Sequence, residues 1–166
     1  MAKSDVKNWL SNMGPFESPL IYQGISFRTV EHFYQAMKAG KAEVETRLRI
    51  ATLASPYEAK REGKRIRLRA DWDEVKLEVM EYALRYKFAP GTTWHVRLMA
   101  THDEEIVERN DWGDTYWGVD LRSGHGQNHL GRLLMKLRAE WIGDSKPDAF
   151  ELTYGKTARE PKTAGE

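Results

Sequence analysis

The spacing of apolar positions changes along the chain, and each change marks an element. Near the N-terminus, Leu20-Ile21-Tyr22 precedes Gln23-Gly24 and then Ile25-Ser26-Phe27. Period-two runs on either side of a two-residue turn predict a hairpin of short strands. Thr29 then supplies an N-cap oxygen, and Val30, Phe33, Tyr34 and Met37 recur at helical spacing up to Gly40, predicting a helix over 30–39. Val44, Leu48 and Ala51 predict a second helix over about 42–53. Ser55, Pro56 and Glu58 fit the N-cap, first-turn proline and capping-box acid of a third, which ends at Gly63. Asp71 and Glu74 repeat that start signal for the longest helix, Trp72 to Phe88, with Pro90-Gly91 as its stop. A further helix is expected from Trp94 to Ala100, a short strand from Glu105 to Glu108, and a last amphipathic helix through Leu130, Leu133, Leu134, Leu137 and Trp141.

Between that strand and the last helix, residues 110–128 hold four Gly among Trp, Asp and His with no period. An irregular segment of this length inside a domain is usually functional. The pattern as a whole is a helix-rich α+β fold, a single domain over residues 1–143 with a few short strands. A polar C-terminal tail is expected at 144–166, disordered from Lys156 onward because it has no apolar period to bury. No βαβ alternation, GxGxxG or Walker sequence occurs, which argues against a Rossmann or P-loop nucleotide site.

Composition narrows the chemistry further. A chain of 166 residues suits one domain with its own core. Twenty-six Lys and Arg against 25 Asp and Glu leave a formal charge of +1, so any nucleic-acid contact must be local. The one dense positive cluster is Lys60, Arg61, Lys64, Arg65, Arg67 and Arg69. With no cysteine, disulfides, thiolate metal sites and a Cys nucleophile are excluded. His125 and His129 stand four apart, but neither HExxH nor a Cys/His arrangement is present, so no metal and no cofactor are expected. Apolar stretches run only a few residues, so the expectation is a cytoplasmic protein with no membrane partner.

Two constellations remain. Glu31, Gln35 and Lys38 lie at i, i+4 and i+7 of the first predicted helix, opposite Val30, Phe33 and Met37, and so form one polar stripe. The stripe is either a solvated outer face or a carboxylate, an amide and an amine aimed into a cleft. A carboxylate can stabilise the positive charge on a ribose whose glycosidic bond is breaking, and an amine can form a Schiff base with its anomeric carbon. Spacing does not choose between these readings. The second constellation is the irregular segment, where Trp112 and Trp117 stand among Asn110, Asp111, Asp114, Asp120, Gln127 and Asn128. Aromatic faces stack bases while carboxylates and amides bind hydroxyls, though turn-forming Asp and Gly explain part of this composition without a ligand. Asp114, Gln127 and Asn128 are the candidate substrate-binding residues of the segment.

LSNMGPFESPLIYQGISFRTVEHFYQAMKA, ASPYEAKREGK, LRADWDEVKLEVMEYALRYKF, YWG and GQNHLGRLLMKLR occur in that order from residue 10. The combination resembles the NADAR family, also called YbiA-like. The resemblance implies a metal-independent N-glycosidase in a helix-rich α+β fold. Some members are associated with ribosylated pyrimidine intermediates of riboflavin synthesis, and others with removing ADP-ribose from guanine in nucleic acid. By the same resemblance Glu31 matches the acid of TxEH, Lys38 the lysine of QAxK, Asn12 the asparagine of LSN, Trp72 the DW tryptophan and Trp117 the WG aromatic. Lys38 would attack the anomeric carbon after ring opening, Glu31 would handle protons or stabilise the cationic sugar, and Trp72 and Trp117 would wall the site. Gln35, on the same stripe, joins Asn12 as a substrate-binding residue.

Two departures stand out. Many relatives carry an additional strand leading into LSN, whereas nine residues precede Leu10 here, and the loop VDLRSGHGQNHLG replaces a shorter WGDG-type loop. The expected substrate is an ADP-ribosyl conjugate, foremost ADP-ribosylated guanine in DNA or a nucleotide. The alternatives are ribosylamino-pyrimidine phosphates and, in a different class, a noncatalytic ADP-ribose or NAD binding module.

Overall fold

The hairpin forms where the alternation predicts it. β2 (Pro15–Tyr22) pairs antiparallel with β3 (Ile25–Thr29), and both turn residues, Gln23 and Gly24, adopt positive φ. A computed structural model of the chain describes residues 3–5 and 9–143; the tail at 144–166 lies outside the described residues. β2 is longer than the sequence suggests, with a register shift between Pro15 and Leu20. The N-terminal lead also holds a strand. β1 (Lys3–Asp5) pairs parallel with β4 (Glu105–Val107), so the expected lack of a strand before Leu10 is corrected.

α1 (Val30–Ala36) starts as predicted, with the Thr29 hydroxyl accepting from the His32 amide at 3.1 Å. It stops short of residue 39. Met37 to Ala39 close in tighter turns, Lys38 N to Gln35 O and Ala39 N to Ala36 O, and the buried Arg47 guanidinium takes the Ala39 carbonyl at 2.9 and 3.3 Å. The carbonyl of Ala39 thus goes to a side chain rather than to a further helical turn. α1 lies against β3, α2 (Val44–Ala51), α3 (Pro56–Glu62) and α4 (Trp72–Lys87), and every one of its residues is buried.

α3 has its predicted cap: Ser55 Oγ accepts from the Glu58 amide at 3.2 Å, while the Glu58 carboxylate accepts from Ala54 N at 3.0 Å. At α4 the expected cap is replaced. The Asp71 carboxylate pairs with the Arg69 guanidinium, and only the Asp71 backbone carbonyl serves the helix, accepting from Glu74 and Val75. α4 packs Phe33 against Tyr82 at 5.6 Å between ring centroids, and β2 and β3 cover that cluster with Tyr22 and Phe27.

α5 (Thr93–Met99), capped by Thr92, leads to β4. The irregular segment begins and is crossed by a short parallel pair, β5 (Arg109–Asn110) and β6 (Val119–Asp120), before α6 (His129–Ile142). Asn110 holds its turn by bonding Asp114 twice, Nδ2 to the carbonyl at 2.7 Å and Oδ1 from the amide at 2.8 Å. No helix among the described residues is long and apolar enough to cross a membrane.

Candidate active site

Glu31 is the second residue of α1 and only 5% exposed, so the polar stripe is not a solvated face. Helices pack on the side where the sequence left water as an option. Gln35, one turn on, donates from Nε2 to Glu31 Oε1 at 2.7 Å, and its own Oε1 is buried with no hydrogen-bond partner among the described residues. Gly63, just past α3, makes this possible: a Cβ there would stand 1.9 Å from Gln35 Oε1. Only glycine lets α3 close on that amide.

Glu31, Gln35 and Lys38 open on a cavity of about 610 Å³. Asn12 and Met13 form one wall, Tyr57, Lys60 and Lys64 another, and Glu108, Arg109, Trp112, Asp114 and Trp117 a third. Asn12 is tied to α1 through its backbone, whose carbonyl accepts from Glu31 N at 3.0 Å. Its Oδ1, like Gln35 Oε1, is a buried acceptor without a partner among the described residues. Trp117 meets Tyr34 edge-on at 5.4 Å, and Asp114 Oδ1 accepts from the amides of Tyr116 and Trp117 at 3.1 and 2.9 Å.

Desolvation sets the protonation of this cavity. Burial raises the Glu31 carboxyl above the usual carboxylate range, against the opposing pull of the Gln35 hydrogen bond, Lys60 and Lys38. Burial likewise lowers the Lys38 ammonium; Glu31 opposes it, while Lys64 and Lys60 push the same way. Lys38 Nζ lies 5.5 Å from the centre of the Tyr34 ring. Glu108 is pushed up to about 7, first by burial and then by Asp114 and Glu31, with Lys60 opposing. The result is an amine less basic than usual beside carboxyls less acidic than usual. That combination suits attack at an electrophilic carbon together with proton transfer near neutral pH.

Not every candidate is here. Trp72 is 6% exposed and lies in the core with its ring tilted against Tyr34, 5.0 Å between centroids, so it backs the Tyr34 wall instead of lining the cavity. Asn128 is absorbed by the backbone: Oδ1 accepts from Glu108 N at 3.0 Å and Nδ2 donates to Ile106 O at 2.9 Å, which pins β4 and the Glu108 that follows it. Gln127 is exposed, bonds His129, and with Asn128 borders a separate cavity of about 400 Å³. The segment crosses at β5 and β6, and this sends its C-terminal part to the other side.

The sequence pattern missed Glu108, whose only signal was its place at the end of a predicted strand, and Tyr57. It noted Lys60 and Lys64 solely as members of a basic run. Tyr57 and Trp112 are 68% and 61% exposed at the cavity mouth, with Lys60 Nζ 4.9 Å from the centre of the Trp112 ring. Large rings left in solvent at a cavity mouth are suited to stacking. Close backbone approach again fixes the geometry: a Cβ on Gly118 would stand 2.3 Å from the Glu108 carbonyl.

A family model described as "NADAR domain" matches residues 2–141. N-glycosidase YbiA of Escherichia coli (strain K12) is 39% identical over 124 residues, covering 74% of this chain and 75% of that protein. A riboflavin biosynthesis protein of Vibrio vulnificus is 35% identical over 133 residues, 80% of this chain; the chain spans 35% of that relative's length. The NMR structure of E. coli YbiA superposes with a TM-score of 0.70 at 33% identity, covering 86% of this chain and 84% of that one.

The Trp72 placement predicts a stability effect. Trp72→Ala should lower unfolding free energy by about 3–5 kcal/mol, as for a large aromatic removed from a core, in urea titrations. An unchanged midpoint would return Trp72 to the cavity wall. The Gln35 bond predicts a titration: Gln35→Met removes an interaction that lowers the Glu31 carboxyl pKa, so that pKa should rise further. Gly63→Ala, by displacing the amide, should act in the same direction. NMR titration of the Glu31 carboxyl carbon reads both, and an unmoved curve in the two variants would show that the bond does not tune Glu31.

Proposed function

The chain belongs to the NADAR family, and from that premise we propose that it is an N-glycosidase that hydrolyses the bond between a ribose anomeric carbon and a base nitrogen. The reading rests on one observation: burial lowers the pKa of Lys38 in a cavity that also holds Glu31 and Glu108. A module that only bound ADP-ribose would have no use for an amine of reduced basicity beside two carboxyls of raised pKa.

In this mechanism a proton from Glu31 reaches the ribose ring oxygen, the ring opens, and C1′ becomes doubly bonded to the base nitrogen. The neutral Lys38 amine adds to C1′. The C1′–N bond then breaks with its electron pair passing to the base, which takes a proton from Glu108. The lysine nitrogen, having lost one proton to Glu31 before that bond breaks, supplies the electron pair that expels the base and is left as a protonated imine. Water adds to C1′, and hydrolysis returns the free amine and a sugar aldehyde, while its spare proton restores Glu108. Unpartnered acceptors on Asn12 and Gln35 suit ribose hydroxyls.

The substrate we favour is an ADP-ribosyl conjugate, foremost of guanine in DNA or a nucleotide. Lys60 and Lys64 suit a diphosphate, and the exposed rings of Tyr57 and Trp112 suit a second base outside the cavity. A second reading, ribosylamino-pyrimidine phosphates, is favoured by the riboflavin name of the Vibrio relative. Both use the same ribose chemistry.

Offered an ADP-ribosyl-guanine oligonucleotide and a ribosylamino-pyrimidine phosphate side by side, the protein should release guanine faster, as followed by mass spectrometry. Faster release of the pyrimidine selects the second reading. Release of neither overturns the glycosidase. Borohydride added during turnover should leave a sugar adduct on the Lys38 peptide, and Lys38→Arg should abolish both adduct and turnover. Full turnover in that variant would exclude the covalent route. Because Glu108 titrates at about 7 and donates as the acid, turnover should fall as pH rises through that value. Glu108→Gln should lose about a hundredfold in rate and flatten that limb, as expected for a removed general acid. A limb that persists would assign it to another group.

A further inference from the structure

Lys87, at the last turn of α4, is 1% exposed, and burial alone pushes its ammonium down to about 7. Nζ donates to the Ser11 carbonyl at 2.7 Å and lies 5.3 and 5.5 Å from the ring centres of Phe88 and Trp94. A buried lysine in such surroundings is expensive, and an apolar side chain of similar length would fill the space without the desolvation penalty. Stability therefore does not explain it.

The geometry accounts for it through the peptide it grips. The Ser11 carbonyl already accepts from Gly14 N at 3.2 Å, closing the turn that carries Asn12 and Met13 into the cavity wall. One residue on, the Asn12 carbonyl accepts from Glu31 N at 3.0 Å. Two hydrogen bonds to the carbonyls of consecutive peptide units thus run from the end of α4 to the backbone of Glu31. We propose that Lys87 is a positioning residue, which fixes the Ser11-Asn12 peptide and through it the side chain of Asn12 and the first turn of α1 with Glu31. Either protonation state of Lys87 has N–H groups to donate, so the grip survives loss of the charge.

The catalytic consequence rests on the glycosidase reading above; the positioning itself does not. Lys87→Met should melt at or above the wild-type temperature while kcat falls at least about tenfold, since small displacements of reacting groups carry losses of that order. Hydrogen exchange at the Glu31 amide should quicken in the same variant. The chain has no cysteine, so Lys87→Cys can be alkylated at that position alone under denaturing conditions and refolded. An S-aminoethyl group should restore kcat and slow exchange, whereas an S-propyl group of matching length should restore neither.

Equal kcat and exchange in the two alkylated forms would overturn the proposal, as would wild-type values in Lys87→Met. Loss of folding in Lys87→Met would assign Lys87 to the core instead and overturn it too. If the wild-type protein releases no base from either conjugate, the glycosidase reading fails by itself, and exchange at Glu31 still decides the positioning.

Discussion

A short helix buried on every side, α1, carries a carboxylate and an amide on the face that most helices would give to water. Such burial is tolerated only where each polar group finds a partner or serves a site. Glu31 takes the Gln35 amide, the Glu31 backbone takes Asn12, and His32 bonds the Leu53 carbonyl at 3.2 Å. What is left over, the acceptor oxygens of Gln35 and Asn12, borders the cavity. The same exclusion of water shifts Glu31 and Glu108 upward and Lys38 downward. Packing and reactivity thus have one cause.

Keeping water out demands close approach, and glycine supplies it at two places. Gly63 admits the end of α3 onto Gln35, and Gly118 admits β6 onto the Glu108 carbonyl. Around these contacts the scaffold uses backbone hydrogen bonds from side chains: Arg47 ends α1, Asn128 pins the strand before Glu108, and the Asn110–Asp114 brace holds Trp117 against Tyr34. The mouth differs, since its rings at Tyr57 and Trp112 stay in solvent and leave room for a long ligand.

Local physics was legible where a signal spans a few residues. The hairpin turn, the Thr29 and Ser55 caps and the amphipathic faces of α4 and α6 follow from torsion preferences and periodicity, which act within a turn or two. Boundaries failed where a side chain outside the helix competed for a capping group: Arg47 took the Ala39 carbonyl and ended α1 early, and Arg69 took the carboxylate expected to cap α4. Glu31, Gln35 and Lys38 could be aligned on one stripe by counting, because helical geometry is local.

The direction of that stripe, toward water or toward a cavity, was set by α3 and the irregular segment folding over it. The family resemblance made Trp72 and Trp117 alike as walls of the site, yet one fills the core behind Tyr34 and the other lines the cavity. Glu108 carried no signal beyond its place at a strand end, because its protonation comes from burial among Asp114, Glu31 and Lys60, none of them its sequence neighbours. Lys87 was equally silent, since its partner Ser11 lies 76 residues away. The sequence by itself determined the elements and the residue types available for chemistry, because both depend on neighbours along the chain. Tertiary structure alone decided which of those groups lose water and meet, because desolvation depends on whatever packs nearby in space.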